Sequence, residues 1–170
     1  MKKILTLCLV APSLIFAQEI KVPAGFHVSE IGKNLGSTRH IAVSKQGDVY
    51  AKLSKLKEGN GIVLLKDKDK DGVFEEQTLF GNYTGTGIAI HDDYFYASSN
   101  KGVFRYRLND KGEVADWNTF ETIVDGLPDH GRDNAKSFTF DQDRKNIYVT
   151  IGSWNDPCRE PGTGKGMNPC

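Results

Sequence analysis

The densest group of polar side chains lies in the segment 127–134, which reads Leu-Pro-Asp-His-Gly-Arg-Asp-Asn. His130 follows Asp129 directly. A histidine beside a carboxylate is a candidate general base, because the carboxylate orients the imidazole and tunes its pKa. A lone histidine in a polar loop is more often simply solvated, so the spacing alone leaves both interpretations open. The chemistry that this segment predicts is general acid–base catalysis.

A second pattern consists of acidic residues. Asp67, Asp69 and Asp71 alternate with lysines and are followed by Gly72. Carboxylates at every second residue before a tight glycine turn direct oxygen atoms at one hard cation, as in calcium loops. The position of the bidentate glutamate of a full EF-hand is Thr78 here. We predict a structural calcium site at the three aspartates, and the alternative is a charged hairpin in which they cap turn amides.

Further candidates lie in the C-terminal third of the chain. Trp117 and Trp154 offer rings that can stack on a sugar, although large aromatic side chains more often serve packing. Trp154 is the better candidate because it directly follows the strand end Ile151–Ser153. Cys158 and Cys170 stand 12 residues apart in a segment rich in glycine and proline. In an oxidising compartment they are predicted to form a disulfide, and the alternative is that either pairs with a partner outside this sequence.

The elements that must position these residues follow one repeated pattern: an apolar strand, a polar turn and an aromatic strand. Its first apolar residues are Ile41, Ile88 and Phe138, which stand 47 and then 50 residues apart. A period near 50 residues with several short strands per unit is typical of β-propeller blades, which cannot bury their own faces alone. We therefore predict an all-β fold, a β-propeller of which roughly two and a half blades are present here.

Short apolar or alternating runs bounded by Gly, Asn and Asp predict the individual strands. The predicted strands are 26–31, 39–44, 48–53, 61–66, 74–80, 86–90, 94–98, 102–108, 120–124 and two more between 136 and 151. Because about four to eight blades close a propeller, an arc of fewer than three leaves an open sheet edge. Residues 18–170 are therefore predicted to be the N-terminal part of a single, truncated propeller domain, with completion by oligomerisation as the alternative.

The first 17 residues predict a secretory signal peptide. Lys2 and Lys3 precede an apolar run, Ile4–Phe16, and the small residue Ala17 stands at the cleavage position. This run is too short to cross a bilayer, and no later run is long enough, so we expect an exported protein, periplasmic or extracellular. The chain has 22 basic and 22 acidic residues and no basic stripe, which argues against a nucleic-acid partner.

The motif Gly126-Leu127-Pro128, followed by Asp-His and then by the strand Ile147–Ser153, resembles the glucose/sorbosone dehydrogenase family. Members of that family are secreted six-bladed propellers that oxidise sugars or sugar aldehydes with pyrroloquinoline quinone (PQQ) and calcium. The resemblance covers approximately residues 25–158. It implies a propeller of about six blades when complete, PQQ and calcium as cofactors, a sugar substrate and an external electron acceptor.

The resemblance also implies roles for individual residues. In that family an Asp-His pair before the inner strand of the third blade supplies the catalytic base. The matching dipeptide is Asp129-His130, with Asp129 orienting the base, whereas the distance to the strand places the base position at Asp133. The family's substrate-contacting residue before the second blade corresponds to Asn82. Its quinone-binding residues and active-site calcium ligands lie in later blades, so no cofactor-binding residue is assigned here.

The resulting functional prediction is a secreted, PQQ-dependent sugar or sugar-aldehyde dehydrogenase, similar to sorbosone dehydrogenases. In this interpretation His130 is the base, and Asn82 and Trp154 contact the substrate. The alternative is a non-catalytic propeller that binds a carbohydrate or a protein partner at the mouth of its channel.

Overall fold

The computed structural model describes residues 20–129, 134–152, 163 and 165. These residues contain ten strands and no helix. The strands are β1 (Thr38–Val43), β2 (Val49–Lys57), β3 (Asn60–Lys66), β4 (Glu76–Phe80), β5 (Ile88–His91), β6 (Tyr94–Ser98), β7 (Val103–Arg107), β8 (Glu121–Val124), β9 (Phe138–Phe140) and β10 (Ile147–Val149). Within this part of the chain, no helix is long and apolar enough to cross a membrane.

The strands form antiparallel meanders that correspond to the sequence repeat. Two sheets have four strands each, in the orders β1-β2-β3-β4 and β5-β6-β7-β8, and β9 pairs with β10 in a third sheet. The first strands of the two complete sheets, β1 and β5, contact each other, as inner strands do around a propeller axis. The described chain therefore contains two full blades and the inner half of a third, which confirms the predicted all-β propeller architecture.

Alternation along the strands decides which side chains lie between blades. Ile88 and Phe138 occupy equivalent positions on the first strands of blades 2 and 3 and are buried against the preceding blade. Tyr50 and Tyr96 likewise occupy equivalent positions, on the second strands of blades 1 and 2, but they are buried against the following blade. The main core lies between blades 1 and 2, where Tyr50 packs against Phe95 with ring centroids 4.6 Å apart.

Two strand predictions differ from the structure. Strand β2 extends to Lys57 because a two-residue hairpin joins it to β3, with Glu58 at φ 51° and Gly59 at φ 79°. Positive φ at both central residues is the type I′ geometry, whose twist matches the flanking strands. The predicted strand 26–31 is wrong, because the described structure assigns no strand to these residues and pairs them with none of the ten strands.

The chain divides into two compact units after Glu30. The described residues of the first unit, 20–30, form a turn in which the Phe26 amide donates to the Pro23 carbonyl. All ten strands belong to the second unit, which begins at Ile31. The outer face of blade 1 packs against Ile31 and Leu35 of the segment before β1.

Candidate functional site

The inner strands of all three blades begin around one cavity of about 390 Å³, termed here the mouth cavity. Its lining comes from β1, β2, the connectors before β5 and β9, the β6–β7 turn and the residues after β10. The lining residues are Arg39, Ser54, Thr84, Gly85, Asn100, Asn134, Ala135 and Gly152. Hydroxyl groups, amides and one guanidinium therefore converge where the sequence predicts the mouth of the channel.

The cation that lines the mouth cavity, Arg39, stands at a position that recurs in each blade. Arg39, Thr86 and Lys136 each stand two residues before the first apolar residue of their blade. The Arg39 side chain is exposed and donates from Nη1 to Thr86 Oγ1 at 3.3 Å, which links blades 1 and 2. Lys136 is buried at the equivalent position of blade 3. This arrangement suits a ligand that carries carboxylates or hydroxyls, because a guanidinium pairs with the former and amides bind both.

The connector between blades 1 and 2, residues 81–87, is held by close backbone contacts. Lys52 Nζ donates to the Tyr83 carbonyl at 2.7 Å and lies 4.1 Å from the centre of the Tyr83 ring. The Tyr83 and Tyr106 hydroxyls are 3.0 Å apart. A Cβ on Gly61 would lie 1.9 Å from the Tyr83 oxygen, so only glycine permits this approach. These contacts fix Thr84 and Gly85 at the edge of the mouth cavity.

Lys52 is fully buried and has no carboxylate partner among the described residues. Burial lowers the pKa of its ammonium group to about 7. The unfolded chain holds this proton up to a pH of about 10.4, so between the two values the unfolded state binds more protons. The free energy of unfolding should therefore rise with pH in this window, while below pH 7 the full penalty of the buried charge persists.

The Lys52→Met variant should lose this dependence. We expect the Lys52 contribution to raise the wild-type free energy of unfolding by about 2 kcal/mol between pH 7 and pH 9, and the variant to lack that increment. Urea titrations at both pH values measure it, with Lys55→Met, exposed on the same strand, as the control that keeps the wild-type pH dependence. Equal slopes in the wild type and the Lys52→Met variant would contradict the prediction.

Two of the described residues delimit the segment that contains the predicted base. Asn134 Nδ2 donates to Asp129 Oδ1 at 2.6 Å, and Asn134 also lines the mouth cavity. The ends of the segment 129–134 are thus bound to each other at the edge of this cavity. His130 and Asp133 lie outside the described residues, so their roles stay predictions.

Asn82, the predicted substrate-contacting residue, does not line the mouth cavity. It lines a separate cavity between the outer strands of blades 1 and 2, together with Trp117, whereas Thr84 in the same connector lines the mouth cavity. Its predicted contact with the substrate remains a prediction. Trp154, Cys158, Cys170 and the predicted signal peptide lie outside the described residues.

The acidic loop contains a fourth carboxylate, Glu75, besides the three predicted aspartates. Carboxylate oxygens of Asp67, Asp69, Asp71 and Glu75 lie within 4.8 Å of one another. Asp67 Oδ2 also accepts from the Gly72 amide at 2.8 Å, so turn capping and cation binding both remain compatible with the loop. Glu75 stands at the ninth position counted from Asp67, which is a ligand position in EF-hand loops. That spacing is the sequence signal that could have identified it.

Solved structures share this fold. The holo form of the pyranose dehydrogenase PQQ domain from Coprinopsis cinerea aligns with a TM-score of 0.66 at 18% identity, covering 80% of this chain and 32% of that one. The calcium structure of the Trichoderma reesei family AA12 carbohydrate-active enzyme aligns with a TM-score of 0.63 at 19% identity, covering 77% of this chain and 33% of that one. The chain thus spans about a third of the length of these structures.

No curated protein matches the chain. The family model described as TrAA12-like matches residues 20–166, which include every described strand and the whole mouth cavity. This match agrees with the resemblance to quinone-dependent sugar dehydrogenases that the Gly-Leu-Pro-Asp-His motif predicts. The chain therefore belongs to the TrAA12-like family.

Proposed function

We propose that the protein is an exported, PQQ-dependent dehydrogenase that oxidises a sugar or sugar aldehyde, similar to sorbosone dehydrogenases, and transfers the electrons to an external acceptor. The observation that carries this proposal is the match to the TrAA12-like family over residues 20–166. The position of the mouth cavity supports it, because the three blades bring hydroxyls, amides and Arg39 together at the starts of their inner strands.

The groups around the mouth cavity suit a polyhydroxylated substrate and one carboxylate of the quinone. Arg39 can pair with a carboxylate, and the amides of Asn100 and Asn134 can donate to quinone or sugar oxygens. When bound, PQQ supplies the two-electron oxidant. His130 would accept the proton of the substrate hydroxyl, and Asp129 would hold the imidazole in the productive orientation, while Asp133 is the alternative base.

Reconstitution tests this proposal directly. Full-length protein is incubated with PQQ and calcium, and sugar-dependent reduction of an artificial electron-accepting dye is followed for aldoses, ketoses and sugar aldehydes. We expect turnover with at least one of these sugars and none when PQQ is left out. Sugar binding without turnover would contradict the enzyme proposal and favour the non-catalytic alternative.

We further propose that the loop 67–75 binds a structural calcium ion. The four carboxylates that converge there support it, since calcium takes six to eight oxygen ligands. Millimolar calcium should raise the melting temperature by several degrees, and a chelator should reverse the shift, because a ligand bound only to the folded state stabilises it. Differential scanning calorimetry measures the effect.

The matched variants for the calcium experiment are Asp69→Asn and Asp143→Asn. Asp69→Asn should abolish the shift, because it removes a charged ligand from the cluster. Asp143→Asn alters an exposed carboxylate outside the cluster and should preserve the shift. An unchanged melting temperature of the wild type in calcium would leave only the turn-capping role of the aspartates.

Export and a Cys158–Cys170 disulfide complete the proposal. The intact mass of the protein secreted by its source organism should match a chain that begins after Ala17. Reduction should increase this mass by that of two hydrogen atoms. A retained N-terminal segment would contradict export by signal cleavage, and a mass unchanged by reduction would contradict the disulfide.

A further inference from the structure

A second cavity, of about 320 Å³, lies between the outer strands of blades 1 and 2. It is termed the rim cavity, and its main lining residues are Asn60, Asn82, Tyr106, Trp117, Asn118 and Phe120. These residues come from β3, β7, the connector after β4 and the segment before β8. The rim cavity shares no lining residue with the mouth cavity. It is therefore a separate concave surface outside the proposed catalytic site.

Aromatic rings on both sides of the rim cavity are held in place by the core. The half-buried Trp117 packs on Phe80 with ring centroids 4.3 Å apart. Phe120 contacts Tyr106 at 5.6 Å between centroids, yet 43% of its surface is exposed. Packing against buried rings fixes these side chains, so little conformational entropy is lost when a ligand binds.

The segment that carries Trp117 is also fixed by hydrogen bonds. Asp116 Oδ2 accepts from the Thr119 hydroxyl at 2.6 Å, and Asp116 Oδ1 accepts from the Asn118 amide at 2.9 Å. Both bonds hold the Asp116 carboxylate in position and hold its pKa below the ordinary value. The indole of Trp117 is thus presented by a preformed turn.

The polar groups of the rim cavity are neutral amides. The exposed side-chain amide of Asn82 and the indole N–H of Trp117 have no hydrogen-bond partner among the described residues. Asn60 and Asn118 contribute two more amide groups. Among the residues that the structure describes, no charged side chain lines this cavity, whereas the lining of each of the other three cavities includes at least one.

We propose that the rim cavity binds a neutral saccharide chain. Aromatic faces pack against the apolar C–H face of a sugar ring, while neutral amides and an indole N–H bind its hydroxyls. A charged ligand would find no counterion among the described lining residues. The protein would thereby hold a saccharide on the side of the propeller. The connector 81–87 links this site to the mouth cavity, because Asn82 lines the rim cavity and Thr84 lines the mouth cavity.

Calorimetric titration of the full-length chain with cellohexaose and with maltohexaose, without quinone or metal, tests this proposal. Its outcome is therefore independent of the dehydrogenase proposal. We expect at least one of the two oligosaccharides to bind. Phe120→Ala should weaken that binding at least about tenfold, because it removes an exposed ring from the cavity. Ile123→Ala, on the strand β8 that follows Phe120 and outside the cavity, should bind as the wild type does.

A second variant guards against misfolding of the first. Asn82→Ala removes an exposed amide from the cavity, so it should weaken binding of the neutral oligosaccharide while circular dichroism stays unchanged. Binding of neither oligosaccharide would overturn the proposal. Loss of binding in Arg39→Ala but not in Phe120→Ala would also overturn it by placing the sugar at the mouth cavity. A proline-rich peptide is titrated in parallel, and binding of this peptide but of neither oligosaccharide would assign the cavity to a peptide instead.

Discussion

Replacing His130 by alanine should lower the rate of dye-linked sugar oxidation by the reconstituted protein by about 10²–10⁴-fold, the usual share of a general base. The physical reason is that oxidation of a hydroxyl carbon requires removal of the hydroxyl proton, and without the imidazole only water can accept it. The measurement is the rate per quinone-loaded molecule. The Michaelis constant for the sugar should change little, because this residue acts on the reacting proton.

The controls for this prediction separate the base from its neighbours. His27→Ala changes an exposed histidine far outside the segment 127–134 and should leave the rate unchanged. Asp129→Asn should lower the rate less than His130→Ala and shift its pH profile, since Asp129 is expected to orient the imidazole. A rate that survives in His130→Ala but collapses in Asp133→Asn would move the base to Asp133.

Phe95→Ala should lower the free energy of unfolding by about 3–5 kcal/mol. Phe95 is fully buried between blades 1 and 2, with ring centroids 4.6 Å from Tyr50, 5.8 Å from Phe80 and 6.0 Å from Tyr106. Removing its ring leaves a cavity that these packed neighbours can fill only in part. Chemical denaturation monitored by circular dichroism provides the measurement.

The matched control for the stability prediction is Ile123→Ala on β8. Ile123 is 38% exposed, so its truncation should cost less than about 1 kcal/mol. A loss in Phe95→Ala no greater than in this control would mean that the interface between blades 1 and 2 does not carry the stability of the fold. The same comparison bears on function, because that interface holds the connector that borders the mouth cavity.

The repeat determines the blades because alternation is local. In an antiparallel meander, side chains at every second residue point to the same face, so the repeat alone matches Tyr50 to Tyr96. The turns between strands were also predictable from local sequence, since glycine and asparagine tolerate the φ values that tight turns require. The predicted strand 26–31 failed because a strand needs a hydrogen-bonded partner, which an apolar run alone does not supply.

The surroundings of irregular segments depended on the tertiary structure. Asn82 and Thr84 stand two residues apart in one connector but line different cavities, and no periodicity predicts where such a segment turns its side chains. Lysine side chains are usually exposed, yet Lys52 is buried and donates to the Tyr83 carbonyl.

By itself, the sequence determined the propeller, its blade boundaries, the family and the acidic loop, because each depends on spacing along the chain: about 50 residues between blades and a few residues within the motifs. Only the tertiary structure decided which side chains share a cavity. The mouth cavity joins Arg39, Asn100 and Asn134 from three blades, and the rim cavity joins Asn82 to Trp117. Such groupings arise from the packing of one sheet on the next, which brings together residues far apart in the chain.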